Sequence, residues 1–338
     1  QLLADGVGRV EVVGDPNDAL EGDLDLPAGY RMRPREDMDA VQRDLRDETG
    51  VTAIVYVQTC AAEKRRRRKR KTYPDPDRRI VINRDVCEGC GDCSKQSNCV
   101  AVTPVDTAWG TKRQIDQYAC NKDYSCLKGF CPSFVEIEGA TLRKEGLGPE
   151  DDTLAGLIAG IPAPTLPETP PGEGWQLLVT GIGGTGVVTI GAIVTMAAHL
   201  EGKGASVLDF TGFAQKGGSV MSHIRISPEA RAHPVRVDRG RADALVACDT
   251  VVATNPEMLG AIRPGKTRIV ANAAEVATGQ FALDRDARVR GDLLIDRLRR
   301  AAGDDAVSIV DAQRLAVRLC GDAIATNMLM LGHAWQSG

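Results

Sequence analysis

The chain has 338 residues, 43% of them hydrophobic but only 4% aromatic, so two or three domains are expected, with cores filled mainly by Ala, Val and Gly. Its formal net charge is −4, yet eight consecutive basic residues, Lys64 to Lys71, contribute +8 and the remainder carries −12. An acidic chain with one basic spot argues against nucleic-acid binding as the main function. The longest apolar stretch, Val187 to Ala198, is too short for a bilayer and is broken by Gly191, so no membrane span is expected.

In chain order, RVEVVGD reads as a short strand stopping at Gly14-Asp15. REDMDAVQRDLRDETG has helical spacing at Met38, Val41 and Leu45 and ends in Gly50. VTAIVYV is a continuous apolar run of strand length, as in a buried parallel strand. KRRRRKRK reads first as a solvated helix face or loop, and second as a docking site for an acidic partner. A cysteine-rich segment follows, then a Pro-rich spacer, Ile161 to Gly174. Beyond it, WQLLVTG, ASVLDF, SHIRI, ALVACD and RIVANA are strand candidates. GGTGVVTIGAIVTMAAHLEG is a helix candidate, and the last 37 residues or so hold a strand and helices. Strands alternating with helices imply an α/β fold with a mostly parallel sheet. No signal peptide is visible, so a cytoplasmic location is expected, with the ten cysteines reduced and serving as ligands rather than disulfides. Both ends read as cut, as in an internal piece of a longer polypeptide.

The cysteines carry the sharpest signal. Cys87, Cys90 and Cys93 have the C-x2-C-x2-C spacing that wraps one corner of a cubane, and Cys131-Pro132 has the signature of the distant closing ligand. These four are assigned to one [4Fe–4S] cluster. A second set, Cys120, Cys126 and Cys131, runs C-x5-C-x4-C-P. On the two-cluster ferredoxin template its missing middle position falls on Asp123, and its distant ligand is Cys99. Two readings stay open: Asp123 completes a second cluster, or it is exposed beside a site that is empty or holds three irons. Zinc is the rival for the whole segment, but it favours paired C-x2-C knuckles, often with His, and all four His lie elsewhere. Cys60, Cys248 and Cys320 are expected to be ordinary buried thiols.

The loop TGIGGTG places Gly181, Gly183, Gly184 and Gly186 between a strand and a helix, where backbone amides can hold an anion. Its G-x-G-G-x-G spacing approaches a dinucleotide fingerprint, with Asp209 only a loose match to the acidic residue expected on the next strand. The bland alternative is a tight strand–helix turn. Lys216, Gly217 and Gly218 precede a strand and either line the same cleft or form a hairpin-like connection.

Taken together, QTCAAEKRRRRKRK, VCEGCGDCSKQSNCVAV, KRQIDQYACNKDYSCLKGFCPSFVEIEGA, GIGGTGVVTIGAI, FAQKGGSVMSHIRI and GDAIATNMLMLGHAW resemble the long-chain indolepyruvate ferredoxin oxidoreductases, a branch of the 2-oxoacid:ferredoxin oxidoreductases. The resemblance covers nearly the whole chain. It implies that residues 1–62 end a thiamine-diphosphate-type α/β domain and that 63–79 are a basic linker. It further implies that 80–145 form a small ferredoxin-like iron–sulfur module, 146–174 a linker and 175–338 a gamma-type α/β domain. The implied reaction is oxidative decarboxylation of an arylpyruvate with coenzyme A to an acyl-CoA, with one or two [4Fe–4S] clusters passing electrons to ferredoxin. An oligomer is expected. The thiamine diphosphate and Mg signature G-D-G…N of that family is absent here, so this chain alone is expected to bind clusters without turning over substrate. The alternative is an electron-transfer module fused to a nucleotide-binding domain of another oxidoreductase.

Overall fold

The computed structural model describes residues 1–15, 18, 26–142, 156, 158–164, 174–212, 218–228, 234–276, 284, 286–287 and 289–338. The chain divides into two units, Gln1–Asp75 and Pro76–Gly338. In the first, β1 (Arg9–Gly14) is the centre of a three-stranded parallel sheet between β2 (Met32–Pro34) and β3 (Thr52–Val57). Helix α1 (Met38–Arg46) sets Met38, Val41 and Leu45 on one face against Val13 and Ile54, as its spacing predicts. The VTAIVYV run is indeed parallel to β1. It is the edge strand of the described sheet, however, and Val51, Val55 and Tyr56 are exposed. A continuous apolar run records β propensity as well as burial, so it does not by itself place a strand at the centre.

The basic run is helical rather than a linker: α2 (Ala61–Lys69) belongs to the first unit. Several of its cations are held. Lys64 Nζ lies 3.2 Å from Asp18 Oδ2, whose side chain is wholly buried, while Arg66 and Arg67 pair with Glu63 at 2.5 and 3.0 Å. Arg68 donates to the Pro74 carbonyl at 3.0 Å and stands over the Tyr73 ring.

The second unit opens with a cysteine-lined module. β4 (Arg78–Ile82) pairs antiparallel with β7 (Phe134–Glu138). β5 (Val102–Thr107) pairs antiparallel with β6 (Gly110–Ile115) through a two-residue turn. Helix α3 (Asp92–Ser97) lies between β4 and β5 in sequence. Ile82, Cys87 and Val102 are buried at the centre, with Cys93, Cys99, Ile115, Cys126 and Phe134 packed against them.

The rest of the unit is a six-stranded sheet. In chain order its members are β8 (Trp175–Ile182), β9 (Gly204–Thr211), β10 (Ser219–Ser227), β11 (Ala244–Ala247), β12 (Arg268–Asn272) and β13 (Val307–Val310), in spatial order β13-β12-β11-β8-β10-β9. The four strands from β13 to β8 are mutually parallel. β10 runs antiparallel to β8, and β9 antiparallel to β10. Both faces are covered, so the parallel strands are apolar at successive positions. On one face Leu178, Leu245 and Ile269 pack with residues of α5 (Thr250–Ala253), α6 (Pro256–Ala261) and α7 (Gly291–Ala302). α4 (Val187–Leu200), α8 (Ala312–Cys320) and α9 (Thr326–Gln336) cover Leu177, Val179, Val246 and Val270 on the other. Asp249, Asn255 and Asp311 cap α5, α6 and α8 by accepting backbone N–H bonds. Cys248 is buried as expected, but Cys320 ends α8 exposed and Cys60 is only half-buried.

Candidate metal centre

All ten cysteines are free thiols. The first candidate loop leaves β4 at Asn83, whose Oδ1 accepts the Asp85 N–H at 3.0 Å and whose carbonyl accepts the Cys87 N–H at 3.0 Å. Gly89 then turns with φ +71° and donates its N–H to Cys87 Sγ at 3.4 Å. A Cβ on Gly89 would lie 2.3 Å from the Thr111 carbonyl oxygen, so glycine is required twice over, by φ and by space. Gly91 turns again, φ +83°, and α3 begins at once, carrying Cys93 in its first turn. The second loop leaves β6 at Asp116. Its Oδ1 accepts the Tyr118 N–H at 2.8 Å, and its carbonyl accepts the Cys120 N–H at 3.0 Å. Lys122, φ +52°, donates to Cys120 Sγ at 3.4 Å, and Tyr124, φ +57°, precedes the single 3-10 turn Ser125–Leu127 that carries Cys126.

The distant cysteines are brought in crosswise. The Asn83 N–H at the root of the first loop donates to the Ser133 carbonyl, two residues past Cys131, at 2.7 Å. The Asp116 N–H at the root of the second donates to the Ala101 carbonyl, two residues past Cys99, at 2.8 Å. The segment after Cys131 is thereby tied to the root of the Cys87–Cys93 loop, and the segment after Cys99 to the root of the Cys120–Cys126 loop.

The electrostatics follow the same partition. Burial raises the Cys93 thiol above its ordinary value against the pull of Ser94 and of the Arg113 guanidinium, and Cys87 adds to the rise. Burial also pushes Cys126 up to about 12, with Cys99, Cys120 and Asp123 adding to it. A cation at the sulfur favours the thiolate that burial disfavours, and soft sulfur donors with N–H groups aimed at them suit iron. Cys90 and Asp123 are both exposed. Among the described residues, no three His, Cys, Asp or Glu side chains converge on a single ion. Two features were not read from the sequence: the paired Asx turns at Asn83 and Asp116, and Arg113, a guanidinium only 1% exposed. The turns were legible as one Asn and one Asp, each four residues ahead of a leading cysteine. Nothing in its sequence context marked Arg113 as buried.

The glycine loop is a close strand–helix turn. A Cβ on Gly181 would meet Val187 Cγ2 at 2.5 Å, so packing demands that glycine. Gly184 and Gly186 have φ of +83° and +99°, and Gly186 is the residue before α4. Gly183 N–H donates to the Gly218 carbonyl at 2.7 Å, and Asn327 Nδ2 donates to the Thr185 carbonyl at 3.0 Å. Lys216 and Gly217 lie outside the described residues. The dinucleotide pattern is not met. The strand after α4, β9, is not beside β8 and runs antiparallel to its neighbour, and its Asp209 accepts a bond from the Ser222 hydroxyl.

Residues 176–338 match the family described as pyruvate ferredoxin/flavodoxin oxidoreductase. At low identity, about half of the chain is homologous to archaeal proteins named indolepyruvate oxidoreductase subunit IorB. That of Archaeoglobus fulgidus is 28% identical over 157 residues, 46% of this chain and 74% of the relative. That of Methanothermobacter thermautotrophicus is 25% identical over 162 residues, 47% and 77% respectively. Among solved structures, pyruvate oxidoreductase subunit PORC of Thermotoga maritima aligns over 47% of this chain and 73% of its own, at 16% identity and a TM-score of 0.33. The 2-oxoglutarate:ferredoxin oxidoreductase of Magnetococcus marinus aligns over 47% and 23%, at 17% identity and a TM-score of 0.34.

Proposed function

We propose that the chain is the electron-relay and gamma-type part of a 2-oxoacid:ferredoxin oxidoreductase of indolepyruvate type. The overall reaction converts an arylpyruvate and coenzyme A to an arylacetyl-CoA and carbon dioxide, releasing two electrons and a proton, with ferredoxin as electron acceptor. The observation that supports the relay reading is the backbone bond from Asn83 to Ser133, which ties the segment after Cys131 to the root of the loop that carries Cys87, Cys90 and Cys93. Cys87, Cys90, Cys93 and Cys131 would hold a [4Fe–4S] cluster, which takes and gives one electron at a time. The Gly89 N–H on Cys87 and the buried Arg113 guanidinium favour added negative charge at that end of the module.

Homology to IorB supports the indolepyruvate type over other 2-oxoacids. Thiamine diphosphate, Mg and the 2-oxoacid pocket would be supplied by other parts of the enzyme. Along α4, Val188, Ile193, Met196 and Leu200 are exposed, which supports assembly with a further subunit or domain.

The test is iron, acid-labile sulfide and the EPR spectrum of the full chain reconstituted anaerobically, before and after dithionite. At least about four irons per chain and a signal appearing on reduction are expected. Zinc without iron would remove the relay reading.

A further inference from the structure

The two cysteine loops are copies of one another at a constant offset of 33 residues, and the copy extends to the backbone. Asn83 matches Asp116, Cys87 matches Cys120, Gly89 matches Lys122, Gly91 matches Tyr124 and Cys93 matches Cys126. At the first four of these matches the same hydrogen bond or the same left-handed turn recurs. The sulfur-directed N–H bond is 3.4 Å in both loops. Both left-handed turns recur, although in the second loop they fall on Lys122 and Tyr124, residues that adopt positive φ at a cost. The bond that closes the second turn is 3.0 Å in both, Ser94 N–H to Gly91 and Leu127 N–H to Tyr124. A loop that holds two non-glycine residues in left-handed conformations in order to keep this path is shaped for what the path presents. In the first loop the residue between the two turns is Cys90, and in the second it is Asp123.

From this register we infer that Asp123 is an iron ligand, its carboxylate taking in the second loop the place that the Cys90 thiolate takes in the first, with Cys99, Cys120 and Cys126 as the other three. The inference rests on the reading of this segment as an iron–sulfur module. Asp123 is exposed as Cys90 is, and its charge reaches Cys126. Its Oδ1 accepts from the Ser125 N–H at 3.2 Å and from the Ser125 hydroxyl at 3.0 Å, which fixes the carboxylate plane and makes Oδ2 the ligand atom. A carboxylate is a harder donor than thiolate and binds an iron of a sulfide cluster less firmly. The second site therefore has one iron that leaves first. On mild oxidation, that corner releases a ferrous ion and the remaining cluster gives one electron to the oxidant, leaving three irons.

The experiment compares the reconstituted wild-type chain with Asp123→Cys and Asp123→Ala, reading iron per chain and EPR before and after stoichiometric ferricyanide. The wild type is expected to hold about eight irons and to lose about one on oxidation, with a three-iron signal appearing. Asp123→Cys should keep all eight and show no such signal. Asp123→Ala should already hold about seven as prepared. Ser125→Ala, which removes only the hydroxyl bond, should release its iron faster than the wild type and keep the same starting count. An Asp123→Ala chain with the iron count and oxidation behaviour of the wild type overturns the assignment, as does a wild type with about four irons and one signal. A chain with no iron at all defeats the module reading itself, which is a different result.

Discussion

Gly89 is where a single atom decides whether the first loop can form. Its φ of +71° disfavours any side chain, and a Cβ would stand 2.3 Å from a backbone oxygen that belongs to strand β6 and cannot give way cheaply. Gly89→Ala should therefore cost about 2 kcal/mol or more and reduce iron uptake at the Cys87, Cys90, Cys93 and Cys131 set. Glu88→Ala next to it, an exposed position, should leave both unchanged. Melting temperature and iron content of the two variants read the contrast. His223 is a second decisive residue. It is buried in β10, with Nδ1 accepting the Val237 N–H at 3.0 Å and Phe210 edge-on at 5.1 Å. Burial lowers its pKa, with Arg236 adding to the fall and Glu257 opposing it. A histidine whose folded pKa is depressed contributes stability that is complete above its unfolded value of about 6.5 and is lost as pH falls below it. The second unit should lose stability as pH falls from about 7.5 to about 5.5, and His223→Gln should flatten that dependence in thermal melts.

Helix α2 shows how much an element's meaning depends on partners that the sequence does not announce. Eight basic residues in a row read as solvent-facing, and the helix itself is a fair reading of their propensity. What the run could not reveal is Asp18, more than forty residues upstream, which accepts from the Thr59 N–H at 2.6 Å, from Lys64 and from the Tyr73 hydroxyl. Burial alone would raise the Asp18 pKa, but the three donors outweigh it and the net shift is downward, while Tyr73 rises to about 12 through its own burial and this bond. The depressed carboxylate adds stability above its unfolded value that is lost as pH falls through the folded one. The raised phenol adds stability below about pH 10 that is lost as pH rises toward 12. Asp18→Asn should destabilise the first unit by about 3 kcal/mol, because it leaves Lys64 half-buried without its counter-ion. The change should remove the acid arm of the pH profile, as followed by proteolysis of the α2 segment.

Other elements were legible for physical reasons of the same kind. α1 and the parallel strands of the second unit were readable because burial on one or two faces imposes periodicity. The strands β4 to β7 were not, because their sequences serve the cysteine loops and the short pairing between them, and each strand has little apolar face of its own. The spacing of the cysteines marks out two loops, and the backbone bonds at Asn83 and Asp116 root each of them. The position of Asp123 was legible from the cysteine spacing, whereas the left-handed residues that flank it, Lys122 and Tyr124, are backbone conformation that no residue pattern announces.

For the molecule as a whole, the proposed function separates an electron relay from the substrate chemistry. The described parts gather cysteines in one module and build, in the other, a sheet whose glycine loop is explained by packing at Gly181 and by turns at Gly184 and Gly186. Residues 176–338 match the family described as pyruvate ferredoxin/flavodoxin oxidoreductase, and about half of the chain is similar to proteins that are named as subunits. The reconstituted chain should accordingly be reduced by dithionite and reoxidised by added ferredoxin on stopped-flow timescales. With indolepyruvate, coenzyme A, thiamine diphosphate and Mg present, it should reduce neither ferredoxin nor a dye above the rate without protein. Fast reoxidation with no turnover is what a relay part gives. Turnover by this chain alone would place the 2-oxoacid chemistry within its 338 residues and would require a thiamine site built without the G-D-G signature.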